Sequence, residues 1–281
     1  MSKTIEPNEK YLNINGIHFH YLDWGNIGHQ PILLLHGFMA HAYVWDDFGQ
    51  TFRNRYHVIA LDQRGHGETQ WCIDGAYSIY DYFSDIVCFV EILGLRDLII
   101  IGHSMGGRNA LIYTACYPEN VERLVLIDAR PGNDPASSKA LKNLIKHIPL
   151  QAGSCEEVVE KINTLSPYLS KEVCSHIVVR GFKKMRNEMM LPKFDVGMIQ
   201  QLEKLDYDTE DLWPFLQNVN CLSLVIRGER SSFLSKKVAQ RICRLIPNAE
   251  LREIPKSSHF PAQENPIALN EVISEFLNQR R

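Results

Sequence analysis

Between residues 31 and 61 the chain twice gathers four apolar residues and then breaks into polar, glycine-containing sequence. Ile32-Leu33-Leu34-Leu35 leads into His36-Gly37-Phe38-Met39, and Val58-Ile59-Ala60-Leu61 leads into Asp62-Gln63-Arg64-Gly65-His66-Gly67. Continuous apolar runs of this length predict strands covered on both faces. The same pattern recurs from Leu98 to Ile101, ahead of Gly102-His103-Ser104-Met105-Gly106-Gly107, and Val121-Glu122-Arg123-Leu124-Val125-Leu126-Ile127 reads as a further strand ahead of Asp128. Cys221 to Ile226 and Glu250 to Ile254 are predicted as the last two strands. Tyr11 to Trp24 alternates loosely around Asn15-Gly16, the turn dipeptide that most often closes a hairpin.

Helical spacing fills the intervals. Ile79 to Leu93 places Phe83, Ile86, Val87, Val90 and Leu93 three and four residues apart and is closed by Gly94. Ala42 to Phe52, Arg108 to Tyr117, Ser235 to Leu245 and a segment after Pro266 are also predicted as helices. Strands alternating with helices, with polar groups at the strand ends, predict a doubly wound, mostly parallel sheet that binds its ligand beyond the carboxyl edge.

After Arg130-Pro131-Gly132 the pattern changes. Ser138 to Ile148, Cys155 to Leu165, Lys171 to Arg186 and Val196 to Leu205 read as helices, with breaks near Pro167 and Pro192 and no strand. The expected organisation is a core over 1–131, an inserted helical lid over 132–213, and the rest of the core over 214–281. The lid's Phe182, Met185, Met189, Met190, Leu191, Phe194 and Met198 suit either an apolar acyl chain or packing between helices. Phe38, Tyr43 and Trp45 are expected on the pocket floor.

Composition narrows the setting. The 281 residues are 45% hydrophobic and 22% charged, as in a folded globular protein, and the formal net charge of -3 gives no electrostatic reason to expect nucleic acid. No apolar run is long enough to span a bilayer, and the segment from Met1 to Pro7 lacks a secretory signal's apolar stretch, so a cytoplasmic location is expected. Seven scattered cysteines without a C-x-x-C pair read as buried free thiols. No cofactor and no metal is expected, and the partner is a small-molecule substrate.

The chemistry centres on Gly102-x-Ser104-x-Gly106, placed where a strand turns sharply into a helix. Such a turn presses the serine into strained backbone angles and lifts its hydroxyl to a helix N-terminus, where free N–H groups favour negative charge. Serine needs a base to become a nucleophile. His259, in the loop after the last strand, is the candidate. The orienting carboxylate is less direct: the loop after Leu224-Val225-Ile226 reads Arg227-Gly228-Glu229-Arg230-Ser231-Ser232, with Ser231 in the slot expected to hold an acid. A hydroxyl cannot supply the charge an imidazolium needs. Asp128, ending a neighbouring strand, is favoured, with Glu229, Asp206 and Asp208 as alternatives. The backbone N–H groups of Phe38 and Met105 are the expected oxyanion donors, and His36 is expected to brace its loop.

His36-Gly37, the Asp62 to Gly67 stretch, the Ser104 elbow and Ser258-His259-Phe260-Pro261 occur in the order of the α/β-hydrolase superfamily, which the chain resembles over nearly its full length. The resemblance implies an eight-stranded, mostly parallel sheet flanked by helices. Arg227-Gly228-x-x-Ser231-x-x-Leu234-Ser235 is similar to a subgroup that carries its acid after the sixth strand, among them vitamin B6-degrading amide hydrolases, and this likeness assigns the acid role to Asp128. Epoxide hydrolases and haloalkane dehalogenases, which the family associates with an elbow aspartate, fit a serine poorly. The leading expectation is a serine hydrolase acting on a carboxylic ester, thioester or amide. Carbon–carbon hydrolases, lyases and cofactor-free dioxygenases use similar residues, and a ligand receptor on a hydrolase scaffold is the alternative of another class.

Overall fold

The computed structural model describes residues 5–132, 134–166, 168–204 and 210–279. Strands β1 (Asn8–Ile14) and β2 (Ile17–Asp23) form the hairpin closed by Asn15-Gly16. They are followed by β3 (Pro31–Leu35), α1 (Asp46–Phe52), β4 (His57–Leu61), α2 (Ile79–Ile92), β5 (Leu98–His103), α3 (Met105–Cys116) and β6 (Val121–Ile127). An insert then contributes α4 (Pro135–His147), α5 (Cys155–Leu165), α6 (Lys171–Gly181), β7 (Phe182–Lys184), β8 (Met190–Pro192) and α7 (Gly197–Lys204). The core resumes with β9 (Leu222–Gly228), α8 (Lys236–Leu245), β10 (Ala249–Ile254), α9 (Pro261–Glu264) and α10 (Pro266–Leu277).

Eight strands make one sheet in the order β1-β2-β4-β3-β5-β6-β9-β10. The pairings β1 with β2 and β2 with β4 are antiparallel and all the others are parallel. The alternation of side chains along each strand divides the core in two. Leu33, Leu35, Ile100, Leu124 and Leu126 pack on one face, with residues of α2, α3 and α8. Ile32, Leu34, Ile99, Ile101 and Val125 pack on the other, with residues of α1 and α10. Both faces are covered, which is why these strands read as unbroken apolar runs. The chain passes from β3 outward to β4 and returns to β5 on the other side of β3. The crevice at the carboxyl ends of β3 and β5 is therefore the topological switch point, where sheets of this kind bind ligands.

The insert lies between β6 and β9, and its neck closes where the Leu212 N–H donates to the Pro131 carbonyl at 2.8 Å. It departs from expectation at one place. A helix was expected to run from Lys171 to Arg186, but α6 ends at Gly181 and the chain enters a two-stranded hairpin, Phe182 opposite Pro192 and Lys184 opposite Met190. Phe182 and Met190 turn inward to a small core with Ala152, Val158 and Val178. Three-residue strands are too short for alternation to reveal them. Of the insert's apolar residues named above, only Met198 lines a cavity beside Ser104, while Phe194 packs within the insert and Met185 is exposed. The expected break at Pro167 and the helix end at Leu205 lie outside the described residues.

The pocket floor also needs correction. Trp45 is fully buried in the core against Phe48, and the Tyr43 hydroxyl donates to Glu9 beneath the Arg180 guanidinium, so neither reaches a cavity. Of the cysteines, Cys174 is buried, Cys116 exposed and the rest intermediate, so the burial expected of the thiols holds fully at one position. Among the described residues no helix is long and apolar enough to cross a membrane.

Candidate active site

Ser104 sits between β5 and α3 with φ 51° and ψ −115°, a conformation costing about 1–3 kcal/mol for a residue with a Cβ. The flanking glycines make it accessible: a Cβ on Gly102 would overlap the backbone of Gly106, and one on Gly106 would overlap the Leu35 carbonyl. The turn is pinned by the Ser104 N–H donating to the Ile127 carbonyl at 2.9 Å.

His259 Nε2 lies 3.0 Å from Ser104 Oγ, and His259 Nδ1 lies 3.1 Å from Asp128 Oδ1. A carboxylate can only accept there, so Nδ1 carries the proton and Nε2 faces the serine hydroxyl with its lone pair. Asp128 is 2% exposed and accepts two further hydrogen bonds, from the Gly228 N–H at 2.9 Å and the Ser231 hydroxyl at 2.6 Å. Ser231 in turn accepts from the N–H groups of Phe233 and Leu234, which leaves its proton only Asp128 as an acceptor. Arg227 winds this loop around its guanidinium, donating to the carbonyls of Leu234 at 2.8 Å and Glu229 at 3.0 Å. The residue in the usual acid slot thus holds the acid supplied by the neighbouring strand. Glu229 is exposed and accepts from the Lys256 N–H at 3.0 Å, away from His259; Asp206 and Asp208 lie outside the described residues.

The loop after β3 is braced by the loop after β4. His36 Nδ1 donates to the Gly37 carbonyl at 2.8 Å, and its Nε2 accepts the Gln63 N–H at 3.0 Å. His66 Nε2 accepts the Met39 N–H at 3.1 Å, and Asp62 Oδ1 accepts the Ala42 N–H at 2.6 Å. Among the described residues the N–H groups of Phe38 and Met105 donate to no protein acceptor. Burial lowers the pKa of His66 to about 3, and burial together with the neighbouring His259 lowers that of His103 to about 3. Both rings are neutral supports. His103 Nε2 donates to the His259 carbonyl at 2.6 Å and so fixes the backbone that carries His259.

The profile of the alpha/beta hydrolase fold family matches residues 30–266, a span that contains every group just described. The chain belongs to that family. Epoxide hydrolase 4 of Mus musculus is 34% identical over 294 residues, covering 94% of this chain and 77% of the relative. The 2-(acetamidomethylene)succinate hydrolase of Mesorhizobium japonicum is 27% identical over 259 residues, covering 89% of each. The crystal structure of E-2-(acetamidomethylene)succinate hydrolase superposes with a TM-score of 0.88 at 23% identity, covering 97% of this chain and 100% of the other. Around His259 this alpha/beta hydrolase also places residues that its sequence did not single out. Phe233 stacks on the His259 ring with centroids 3.8 Å apart, and Glu264 accepts from the Ser258 N–H at 2.5 Å and from Ser166 of the insert. Phe233 lies two positions after Ser231 in the loop signature, and that proximity was the available signal.

Proposed function

We propose that this alpha/beta hydrolase is a serine hydrolase that cleaves a carboxylic ester with an apolar arm through an acyl-enzyme on Ser104. The unbroken relay from Asp128 through His259 to Ser104 carries this reading. Ser104 Oγ attacks the ester carbonyl while His259 Nε2 takes its proton, and the N–H groups of Phe38 and Met105 hold the oxyanion. Collapse expels the alcohol, which takes the proton back from His259. Water then enters, gives a proton to the same nitrogen and releases the acid as Ser104 recovers its hydrogen. The Asp128 carboxylate stabilises the imidazolium in each half.

Kinship to an epoxide hydrolase does not extend to its reaction. A serine that opened an epoxide would end as an ether with no carbonyl for water to attack, whereas an ester or amide leaves a hydrolysable acyl group. Amide cleavage is the second reading, favoured by the likeness to 2-(acetamidomethylene)succinate hydrolase. It passes through the same acyl-enzyme. Incubation with a fluorophosphonate followed by intact mass measurement tests both. One adduct, mapped to Ser104 and absent from Ser104→Ala, is expected; folded protein that stays unlabelled overturns the proposal.

A further inference from the structure

Two cavities flank Ser104, sharing Phe38, Leu141, Phe233 and His259 as walls, and they differ in chemistry. The smaller, about 110 Å³, lies beneath the insert and is walled by Leu144, Ile148, Ile162, Leu165, Leu169 and Ile177. No charged side chain lines it among the described residues. The donors of its polar side chains outside the relay are engaged: His103 Nε2 donates to the His259 carbonyl, Gln263 Nε2 to the Val44 carbonyl at 3.4 Å, and the Ser166 hydroxyl to Glu264. With six aliphatic side chains on its wall, a polar group entering there would lose its water for few partners, so the cavity suits hydrocarbon.

The larger cavity, about 240 Å³, carries Arg108, Asn109, Arg130, Gln201 and Glu210. Asn109 is fully buried, and its amide orientation follows from a relay. The His36 carbonyl can only accept, so Gln63 Nε2 donates to it at 2.7 Å, which turns Gln63 Oε1 toward Asn109 Nδ2 at 2.6 Å. Asn109 Oδ1 is thereby fixed as an acceptor, and it has no partner among the described residues. A buried acceptor without a partner, in a residue on the cavity wall, calls for a donor. An alkyl arm would leave it unpaired, and a carboxylate would set acceptor against acceptor. A hydroxyl satisfies it.

We propose that the substrate is an amphiphilic ester, with its hydrocarbon arm in the smaller cavity and a hydroxyl-bearing arm in the larger, where the hydroxyl donates to Asn109 Oδ1. The proposal rests on the serine-hydrolase reading for its reaction but not for its binding. It is tested with isosteric pairs in both ester directions: 2-hydroxyethyl hexanoate against propyl hexanoate, and hexyl glycolate against hexyl propanoate. At least one hydroxylated member is expected to exceed its isostere by about tenfold or more in kcat/KM, because a site built to bond a hydroxyl rejects the analogue lacking it. In Asn109→Leu that ratio falls to near unity. Ile162→Phe, which fills the smaller cavity, moves the optimum toward shorter hydrocarbon arms. Equal rates within both pairs, or a preference that survives Asn109→Leu, overturn the proposal. Calorimetric binding of 2-(hexyloxy)ethanol against hexyl propyl ether repeats the comparison without turnover and covers the case in which Asn109→Leu does not fold. Tighter binding of the hydroxylated ether by a protein that neither labels nor hydrolyses would remove the serine-hydrolase reading and keep this one, whereas active enzyme with equal affinity for both ethers would do the reverse.

Discussion

Replacing Asp128 by asparagine changes one atom and removes the charge, and the surrounding bonds determine the outcome. Oδ1 accepts from Ser231 at 2.6 Å and from His259 Nδ1 at 3.1 Å, while Oδ2 accepts from the Gly228 N–H at 2.9 Å. All three neighbours are donors, and an asparagine offers them one oxygen. If its oxygen faces Gly228, the amide N–H turns toward His259 Nδ1, which must become an acceptor. The ring proton then moves to Nε2, where it blocks removal of the Ser104 proton. If its oxygen faces His259, the amide N–H meets the Gly228 N–H in a buried site, at a cost of about 1–3 kcal/mol in stability. An orienting carboxylate lost in this way lowers kcat by roughly 10⁴, about 5.4 kcal/mol of barrier. The assay is kcat and KM for p-nitrophenyl butyrate, with guanidinium unfolding to verify the fold. The loss is expected in kcat with KM little changed, since no substrate contact is removed. A folded Asp128→Asn enzyme within about tenfold of the parent kcat would refute the assignment, and Glu229→Gln, at an exposed side chain, should retain full activity.

Three further outcomes follow from the same contacts. Ser231→Asp restores an acid to the usual slot but sets it against Asp128, where two charges about 4 Å apart repel by about 4 kcal/mol at an effective dielectric of 20; a fall in kcat of at least about a hundredfold is expected, and an unchanged pH–rate profile would contradict it. Glu264→Gln loses the charge that receives Ser258 and Ser166 and should lower kcat together with the midpoint of guanidinium unfolding. Burial holds His41 at a pKa of about 4 and His66 and His103 at about 3, below the ordinary value near 6.5. The unfolded chain therefore binds these protons first. Stability is full above pH 6.5 and declines as pH falls toward 3–4, by about 1.4 kcal/mol per histidine at pH 5.5. Guanidinium unfolding at pH 7.5 and 5.5 reads this, and equal stabilities would show that the rings are charged in the folded state.

What was legible in the chain follows from how local each cause is. β6 spans Val121–Ile127 as expected, because burial of Leu124, Val125, Leu126 and Ile127 on both faces writes itself directly into composition. The turn at Ser104 and the terminal loop that carries His259 were legible because both carry their own residue types. The hairpin at 182–184 and 190–192 was not, since it depends on Met190 pairing with Ala152 and on Phe182 and Met190 sharing one small core. Trp45 and Tyr43 misled for a related reason: an aromatic near a glycine loop reads alike whether it faces a ligand or a core.

The clearest case of hidden chemistry is Asn109. Its neighbours on α3 give it the look of a helix-interior residue, and nothing local marks its oxygen as available. Availability is set by Gln63, 46 positions away, whose own orientation is set by the His36 carbonyl a further 27 positions back. The loop after β3 that presents the Phe38 N–H is thus the origin of a hydrogen-bond chain that ends in the larger cavity. A substitution at Gln63 should therefore disturb both ends at once. Gln63→Glu, which cannot donate to the His36 carbonyl while accepting from Asn109, is expected to lower kcat and to weaken any preference for a hydroxyl-bearing arm. A change in one without the other would show that the oxyanion loop and the polar cavity are built independently.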